Sequence, residues 1–82
     1  MILIITKNGL YPAEHCLFKR TIENGEDYLM LSCNGTAEFF RVMNFDAVLE
    51  EINRQLIGAI QGNYFTVSLQ HCIEKGERSA NK

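Results

Sequence analysis

Two His-Cys pairs carry the most reactive side chains of this 82-residue sequence. His15-Cys16 recurs as His71-Cys72, and Cys33 adds a third thiol. Imidazole and thiolate are ligands that zinc prefers, but structural zinc sites usually draw paired ligands from residues about two to four positions apart. Adjacent residues of a strand also point to opposite faces, so a histidine and the next cysteine cannot easily bind one ion. We therefore predict no metal site.

A Cys-His nucleophile is the second chemistry that these residues could support. Catalytic thiols usually lie on a loop or at a helix N-terminus in an electropositive cleft, whereas these cysteines fall within or at the ends of predicted strands. Their odd number, without C-x-x-C spacing, is typical of reduced thiols in the cytosol. The glycines are isolated and form no phosphate-binding loop. The sequence thus predicts no catalytic residue and no cofactor, and we expect a protein that is not an enzyme.

Charge and hydropathy narrow the classes of partner. The formal net charge is -2 and the eight Lys and Arg residues are scattered, so the basic stripe of a nucleic-acid-binding protein is missing. We expect no direct binding to nucleic acid. The apolar run of residues 1–5 is far shorter than a signal segment or a membrane span. We therefore expect a cytoplasmic protein that does not enter membranes.

The elements that would position these side chains begin with a predicted antiparallel meander. Asn24-Gly25 and Asn34-Gly35 supply the residues that tight hairpin turns need, and both are flanked by strand-like segments. A continuous apolar run at the start of the chain reads as a buried strand, and the segment around Pro12 reads as a loop. The first four predicted strands cover residues 1–6, 15–23, 28–33 and 37–43.

An amphipathic helix should follow the meander. Asn44 is placed to cap its N-terminus and Gly62 to end it. Residues 64–73 then alternate, with Phe65 on the apolar side and Tyr64 opposite, which predicts a fifth strand. The apolar stripe of the helix is spaced by three and four residues and comprises Phe45, Val48, Leu49, Ile52, Leu56 and Ile60.

These elements predict an α+β fold with the order β-β-β-β-α-β. Short hairpins place neighbours antiparallel, and the helix returns the chain to pair its last strand with its first. The result would be one five-stranded, mainly antiparallel sheet of order 5-1-2-3-4, with the single amphipathic helix packed on one face. We expect residues 1–74 to form one domain and residues 75–82 to form a flexible tail.

The residues predicted to bind a partner lie on the helix and just after it. Asp46, Glu50 and Glu51 should occupy the face away from the core, with Arg54 one turn further and Tyr64 exposed beyond the helix end. An acidic helix face is one candidate contact surface. The outermost strands, residues 37–43 and 64–73, are another, because unpaired strand edges template strand addition or dimerisation. One of the adjacent Phe39 and Phe40 must also face away from the helix.

Three hypotheses about function follow from the sequence. The first is a non-enzymatic protein-binding or regulatory module that acts through the acidic helix face or a sheet edge. The second is an inhibitor, because the short length, mild acidity and lack of motifs are similar to those of small phage or mobile-element accessory proteins, including anti-CRISPR and anti-restriction inhibitors. The third is a small ligand-binding protein or an enzyme that uses His71 or a cysteine.

Overall fold

The computed structural model describes residues 1–80, which form six strands, two helices and a short 3-10 turn. The two helices are α1, Phe45–Gly62, and α2, Leu69–Ala80. The 3-10 turn is Ala13–His15. The strands, in chain order, are β1 (Leu3–Thr6), β2 (Gly9–Pro12), β3 (Cys16–Glu23), β4 (Glu26–Cys33), β5 (Thr36–Arg41) and β6 (Thr66–Ser68). The predicted α+β class is confirmed, but the arrangement differs from a single five-stranded sheet with one helix.

The predicted meander is present as the antiparallel sheet β3-β4-β5. Asn24 and Gly25 have φ angles of 52° and 78°, and Asn34 and Gly35 have 48° and 87°. Asparagine and glycine adopt this left-handed region more readily than other residues, which is why both two-residue turns form where the sequence places them. The register that these turns set pairs Cys16 with Cys33 and Cys33 with Thr36.

The first strand does not join the meander, which corrects the predicted strand order. β1 lies in the middle of a second sheet, β2-β1-β6, where it pairs antiparallel with β2 and parallel with β6. β2 arises from residues predicted as a loop. Pro12 is tolerated there because β2 is an edge strand, where a missing N–H leaves no ladder hydrogen bond unmade. The turn between β1 and β2 consists of Lys7 and Asn8, neither of which has the positive φ that Asn24 and Asn34 adopt in the other two turns.

The end of the chain is helical, which corrects both the predicted fifth strand and the predicted tail. β6 has only three residues, and α2 begins directly after it. The Ser68 hydroxyl accepts a hydrogen bond from the His71 N–H at 3.3 Å and so caps the helix start. Residues 75–80 of the predicted tail belong to α2, whereas residues 81–82 lie outside the described residues.

Both ends of α1 are set by asparagine. The Asn44 side chain accepts a hydrogen bond from the Ala47 N–H at 3.0 Å, which confirms the predicted N-cap. The helix runs through Gly62 and ends at Asn63, whose φ of 59° closes it in the left-handed conformation. Of the predicted apolar stripe, Phe45, Val48 and Ile52 are buried, and Leu49 and Leu56 are partly buried against the core. At the C-terminal end of the helix the stripe differs from the prediction, because Ala59 is buried and Ile60 is exposed.

The two helices cross at Gly76, close to the start of α1. A Cβ atom built on Gly76 would lie 2.8 Å from the Val48 Cα and 3.0 Å from the Ala47 carbonyl oxygen. The Glu77 carboxylate also accepts hydrogen bonds from the backbone N–H groups of Met43 and Asn44, at 3.1 and 3.2 Å. The second half of α2 is therefore joined to the N-terminal end of α1 by packing and by polar contacts.

Candidate functional site

The His-Cys pairs do not assemble into one site. Cys16 and Cys33 face each other across β3 and β4, and Cys72 is buried on α2 rather than on a strand. His15 and His71 are exposed on separate elements. Among the residues that the structure describes, no group of three His, Cys, Asp or Glu side chains is placed to hold a metal ion.

Two of the thiols are held in their neutral form. Burial raises the pKa of Cys16 to about 12, and the neighbouring Cys33 adds to this effect. The Cys16 thiol donates a hydrogen bond to the Pro12 carbonyl oxygen at 3.2 Å. Burial, and after it the negative charge of Glu51, raise the pKa of Cys72 to about 11. A nucleophilic thiol requires the opposite shift, because the thiolate is the reactive form.

We expect Cys16 and Cys72 to resist alkylation in the folded protein. A pKa near 11 in place of an ordinary value near 8.5 lowers the thiolate fraction at pH 7.5 by a factor of a few hundred. Iodoacetamide labelling followed by mass spectrometry should therefore be at least about 100-fold slower than in urea-unfolded protein. Equal labelling rates in the two states would contradict this environment. Because the folded pKa values are raised, their contribution to stability is complete below about pH 8.5 and is lost as the pH rises towards 11 to 12.

The predicted acidic helix face is divided between two locations. The Glu51 carboxylate is only 1 % exposed and faces α2 instead of solvent. It accepts hydrogen bonds from the Arg54 guanidinium and, at 3.0 Å, from the Gln55 amide, and the Lys75 Nζ lies 3.8 Å away. Arg54 and Gln55 belong to α1 itself, so of these three contacts only the Lys75 ion pair links the buried carboxylate to α2. Asp46 and Glu50 remain exposed on α1.

Three of the five predicted partner-binding residues line one cleft. Glu51, Arg54 and Tyr64 contribute to a cleft of about 310 Å³ between α1, β6 and α2. Asp46 and Glu50 do not line it. The sequence prediction misplaced Glu51 because α2, the element that covers its side of α1, was not foreseen.

A second carboxylate, Glu38 on β5, connects the two sheets. It accepts hydrogen bonds from the Thr6 hydroxyl at 2.9 Å, from the Asn8 amide at 3.1 Å and from the Tyr11 hydroxyl. Burial alone would raise the pKa of Glu38, but these hydrogen bonds, together with the charge of Lys7, hold it below its usual range. The ionised carboxylate therefore anchors the β1–β2 turn beside β5.

This anchor leaves a groove along the outer edge of β5. The groove has a volume of about 650 Å³ and lies between residues 37–41 on one side and the β1–β2 turn on the other, with Gln70 and Ile73 of α2 completing it. Alternate residues of a strand point to opposite faces. Because five consecutive residues of β5, residues 37–41, line the groove, it must follow the strand edge rather than one face of the sheet.

The backbone of β5 presents unpaired groups to this groove. Cys33 and Thr36 flank a two-residue turn and pair with each other, so alternate residues from Thr36 onward exchange hydrogen bonds with β4. The Val42 N–H, which donates to the Asp27 carbonyl at 3.1 Å, follows the same alternation. The N–H and C=O groups of Ala37, Phe39 and Arg41 therefore point outward. Within residues 1–80, no strand pairs with β5 on that side.

Side chains on the two faces of β5 have different surroundings. Phe40 packs against the core, whereas Phe39 is 56 % exposed, which confirms that one of these neighbours faces away from the helices. Residues 37–43 were predicted as an edge strand, and this edge is present. The groove wall was not foreseen, because Lys7, Asn8 and Glu38 meet only through contacts between distant parts of the chain.

Comparison with protein-family models, with curated proteins and with solved structures gave no match. In the part of the chain that the structure describes, neither helix has the length and apolar character that crossing a membrane would require.

Proposed function

We propose that this protein is a non-enzymatic protein-binding module that accepts an extended segment of another protein as an added strand along β5. The observation that carries this proposal is the outward-pointing backbone of Ala37, Phe39 and Arg41 within a walled groove. In strand addition, main-chain hydrogen bonds supply affinity, and pockets for alternate side chains supply specificity.

The dimensions of the groove match a short strand. One residue of an added strand occupies about 3.3 Å along the strand, 4.8 Å between strands and 10 Å between packed layers, or about 160 Å³. A volume of 650 Å³ would therefore hold about four residues. The outward-pointing residues of β5 span five positions, from Ala37 to Arg41, so a segment of four or five residues could pair along them.

The charge around the groove favours an acidic residue in the partner segment. Lys7 and Arg41 both line it, and Arg41 also pairs with Glu26 on the neighbouring strand at 2.9 Å. Glu38 is already satisfied by three donors of the β1–β2 region. Association with such a segment would become slower as salt concentration rises, because rim charges act mainly on the encounter rate.

The edge of β5 is a better candidate for the partner-binding surface than the acidic face of α1. Glu51 is engaged inside the protein, so only Asp46 and Glu50 of the predicted acidic group are available on α1. The edge of β5 offers a continuous row of hydrogen-bonding groups instead. The inhibitor hypothesis and the Cys-His enzyme hypothesis remain predictions from the sequence.

Substitution at Ala37 tests strand addition. Ala37→Pro removes one outward N–H, and the exposed edge position tolerates proline because this N–H does not pair with β4. Peptides that bind the intact chain would be selected from a displayed random library and their affinities measured by fluorescence anisotropy. We expect Ala37→Pro to weaken binding by about tenfold or more, which corresponds to losing one hydrogen bond and close strand contact.

Ala37→Val is the matched control, because it adds bulk at the same position but keeps the N–H. It should bind selected peptides within about threefold of the wild-type affinity, since its side chain points away from the added strand's backbone. Circular dichroism would confirm that both variants are folded. Peptides that bind the proline variant as tightly as the wild type would refute strand addition at β5.

A further inference from the structure

A group of exposed apolar side chains surrounds the C-terminal end of α1, away from the β5 groove. We call this group the α1-end patch; it comprises Met1, Ile57, Ile60, Tyr64 and Phe65, each more than half exposed. Two shallow depressions of about 380 and 230 Å³ join most of it into one surface, because Met1 and Ile60 line both. Ile57 lies one helical turn before Ile60.

The aromatic residues of this patch sit on a fixed backbone. The Leu3 N–H donates to the Phe65 carbonyl oxygen at 2.7 Å, and the Tyr64 N–H donates to the Ala59 carbonyl oxygen at 3.0 Å. The Phe65 ring is nevertheless 70 % exposed and the Tyr64 ring 67 % exposed, although the alternation of residues 64–73 predicted Phe65 in the core. The backbone that carries the two rings is therefore ordered before contact, which reduces the entropy lost on binding.

We propose that the α1-end patch is the interface of a homodimer, with a second copy of this chain as its occupant. The area is sufficient. Tyr64 and Phe65 leave about 100 to 170 Å² each exposed, and the three aliphatic side chains bring the patch to about 500 to 600 Å². Complete burial of these side chains in two copies would remove about 1,000 to 1,200 Å² from solvent, which reaches the lower bound for a specific interface.

The chemistry of the patch fits a second copy better than a different partner. Of the described residues that line the two depressions, only Glu14 has a charged side chain, so the surface offers little charge by which to select another protein. A two-fold interface must be self-complementary, and apolar contact between identical patches opposes almost no like charges. Protruding rings beside shallow depressions supply both halves of such a contact.

A lipid surface is the other kind of partner that could cover an apolar patch. Interfacial membrane-binding surfaces combine apolar residues with Lys and Arg that meet anionic headgroups. No Lys or Arg of the described residues lines either depression. The interface would leave the β5 edge open, so this inference does not depend on the proposed strand addition.

Sedimentation velocity over about 1 to 100 µM protein tests the dimer. We expect a concentration-dependent species of twice the 9.4 kDa chain mass. Phe65→Glu should raise the dissociation constant at least about 100-fold, since it places two carboxylates in an apolar contact. Because the ring is exposed, the variant should keep the wild-type far-UV circular dichroism spectrum and melting temperature at low concentration.

Phe39→Glu is the matched control, because it introduces the same charge at another exposed phenylalanine, on β5. It should leave the dimer intact. A wild-type protein that stays monomeric throughout the range overturns the proposal. So does a dimer that Phe39→Glu dissociates and Phe65→Glu does not, which would indicate pairing through β5. Sedimentation of a monomeric protein with phosphatidylcholine-phosphatidylglycerol vesicles, lost in Phe65→Glu, would overturn it in favour of a lipid surface.

Discussion

Replacing Gly76 with alanine should lower the free energy of unfolding by about 1 to 3 kcal/mol, the usual cost of overpacking a close contact. Intrinsic helix preference acts in the other direction and favours alanine by about 1 kcal/mol. The contact should dominate, because the new Cβ would lie 2.8 Å from the Val48 Cα and 3.0 Å from the Ala47 carbonyl oxygen. Backbone atoms cannot rotate away, so α1 and α2 would have to separate. Urea denaturation followed by circular dichroism measures the change.

Gly58→Ala is the matched control for this prediction. Gly58 is an exposed residue of α1, and in residues 1–80 no atom outside its chain neighbours and the adjoining backbone of α1 lies within 4 Å of a Cβ built there. The same substitution should therefore raise the free energy of unfolding by about 0.5 to 1 kcal/mol. If Gly76→Ala lowers the free energy of unfolding and Gly58→Ala raises it, the loss at position 76 comes from the contact between α1 and α2. Stabilisation by both substitutions would mean that α2 does not pack against the start of α1.

The parts of the fold that depend on local chemistry could be predicted from the sequence. Two Asn-Gly turns fix the meander because few other residues adopt their backbone angles, and Asn44 fixes the start of α1 through its own side chain. Such signals act within three or four residues, so no knowledge of distant contacts is needed.

The second helix was missed because two periodicities overlap at its start. Phe65, Val67 and Leu69 alternate as in a strand, but Leu69, Cys72, Ile73 and Gly76 are spaced as one face of a helix, and all four are buried. Gly76, the last position of that face, lies within residues 75–82, which were predicted to be a flexible tail. Its lack of a side chain is what lets α1 approach, and a sequence alone does not show such a contact.

Of the candidate site, only the free edge of β5 could be predicted from the sequence. The order of hairpins indicates that β5 has a free side, but the groove exists because Glu38 holds Asn8 and Thr6 beside it. These partners lie about thirty positions away in the sequence, at separations of 30 and 32 residues. The burial of Glu51 also depends on a distant part of the chain, because α2 lies on the face of α1 that was expected to be open.

The substitution with the largest expected effect is Ile52→Asp, which should unfold the protein. Ile52 is 1 % exposed and belongs to the central core cluster. Losing the buried side chain costs about 2 to 5 kcal/mol, and burying a carboxyl group without partners costs about 2 to 7 kcal/mol more. A domain of this size has a total stability of about 4 to 12 kcal/mol. Far-UV circular dichroism at 25 °C should therefore show an unfolded chain without a cooperative melting transition.

Ile57→Asp separates this core effect from the general effect of an aspartate in α1. Ile57 lies on the same helix but is 55 % exposed, so its carboxylate would stay in water. At low protein concentration, where self-association contributes little, the free energy of unfolding should change by less than about 1 kcal/mol. If Ile52→Asp also melted cooperatively at a similar temperature, α1 would not bury the face that packs it onto the sheets.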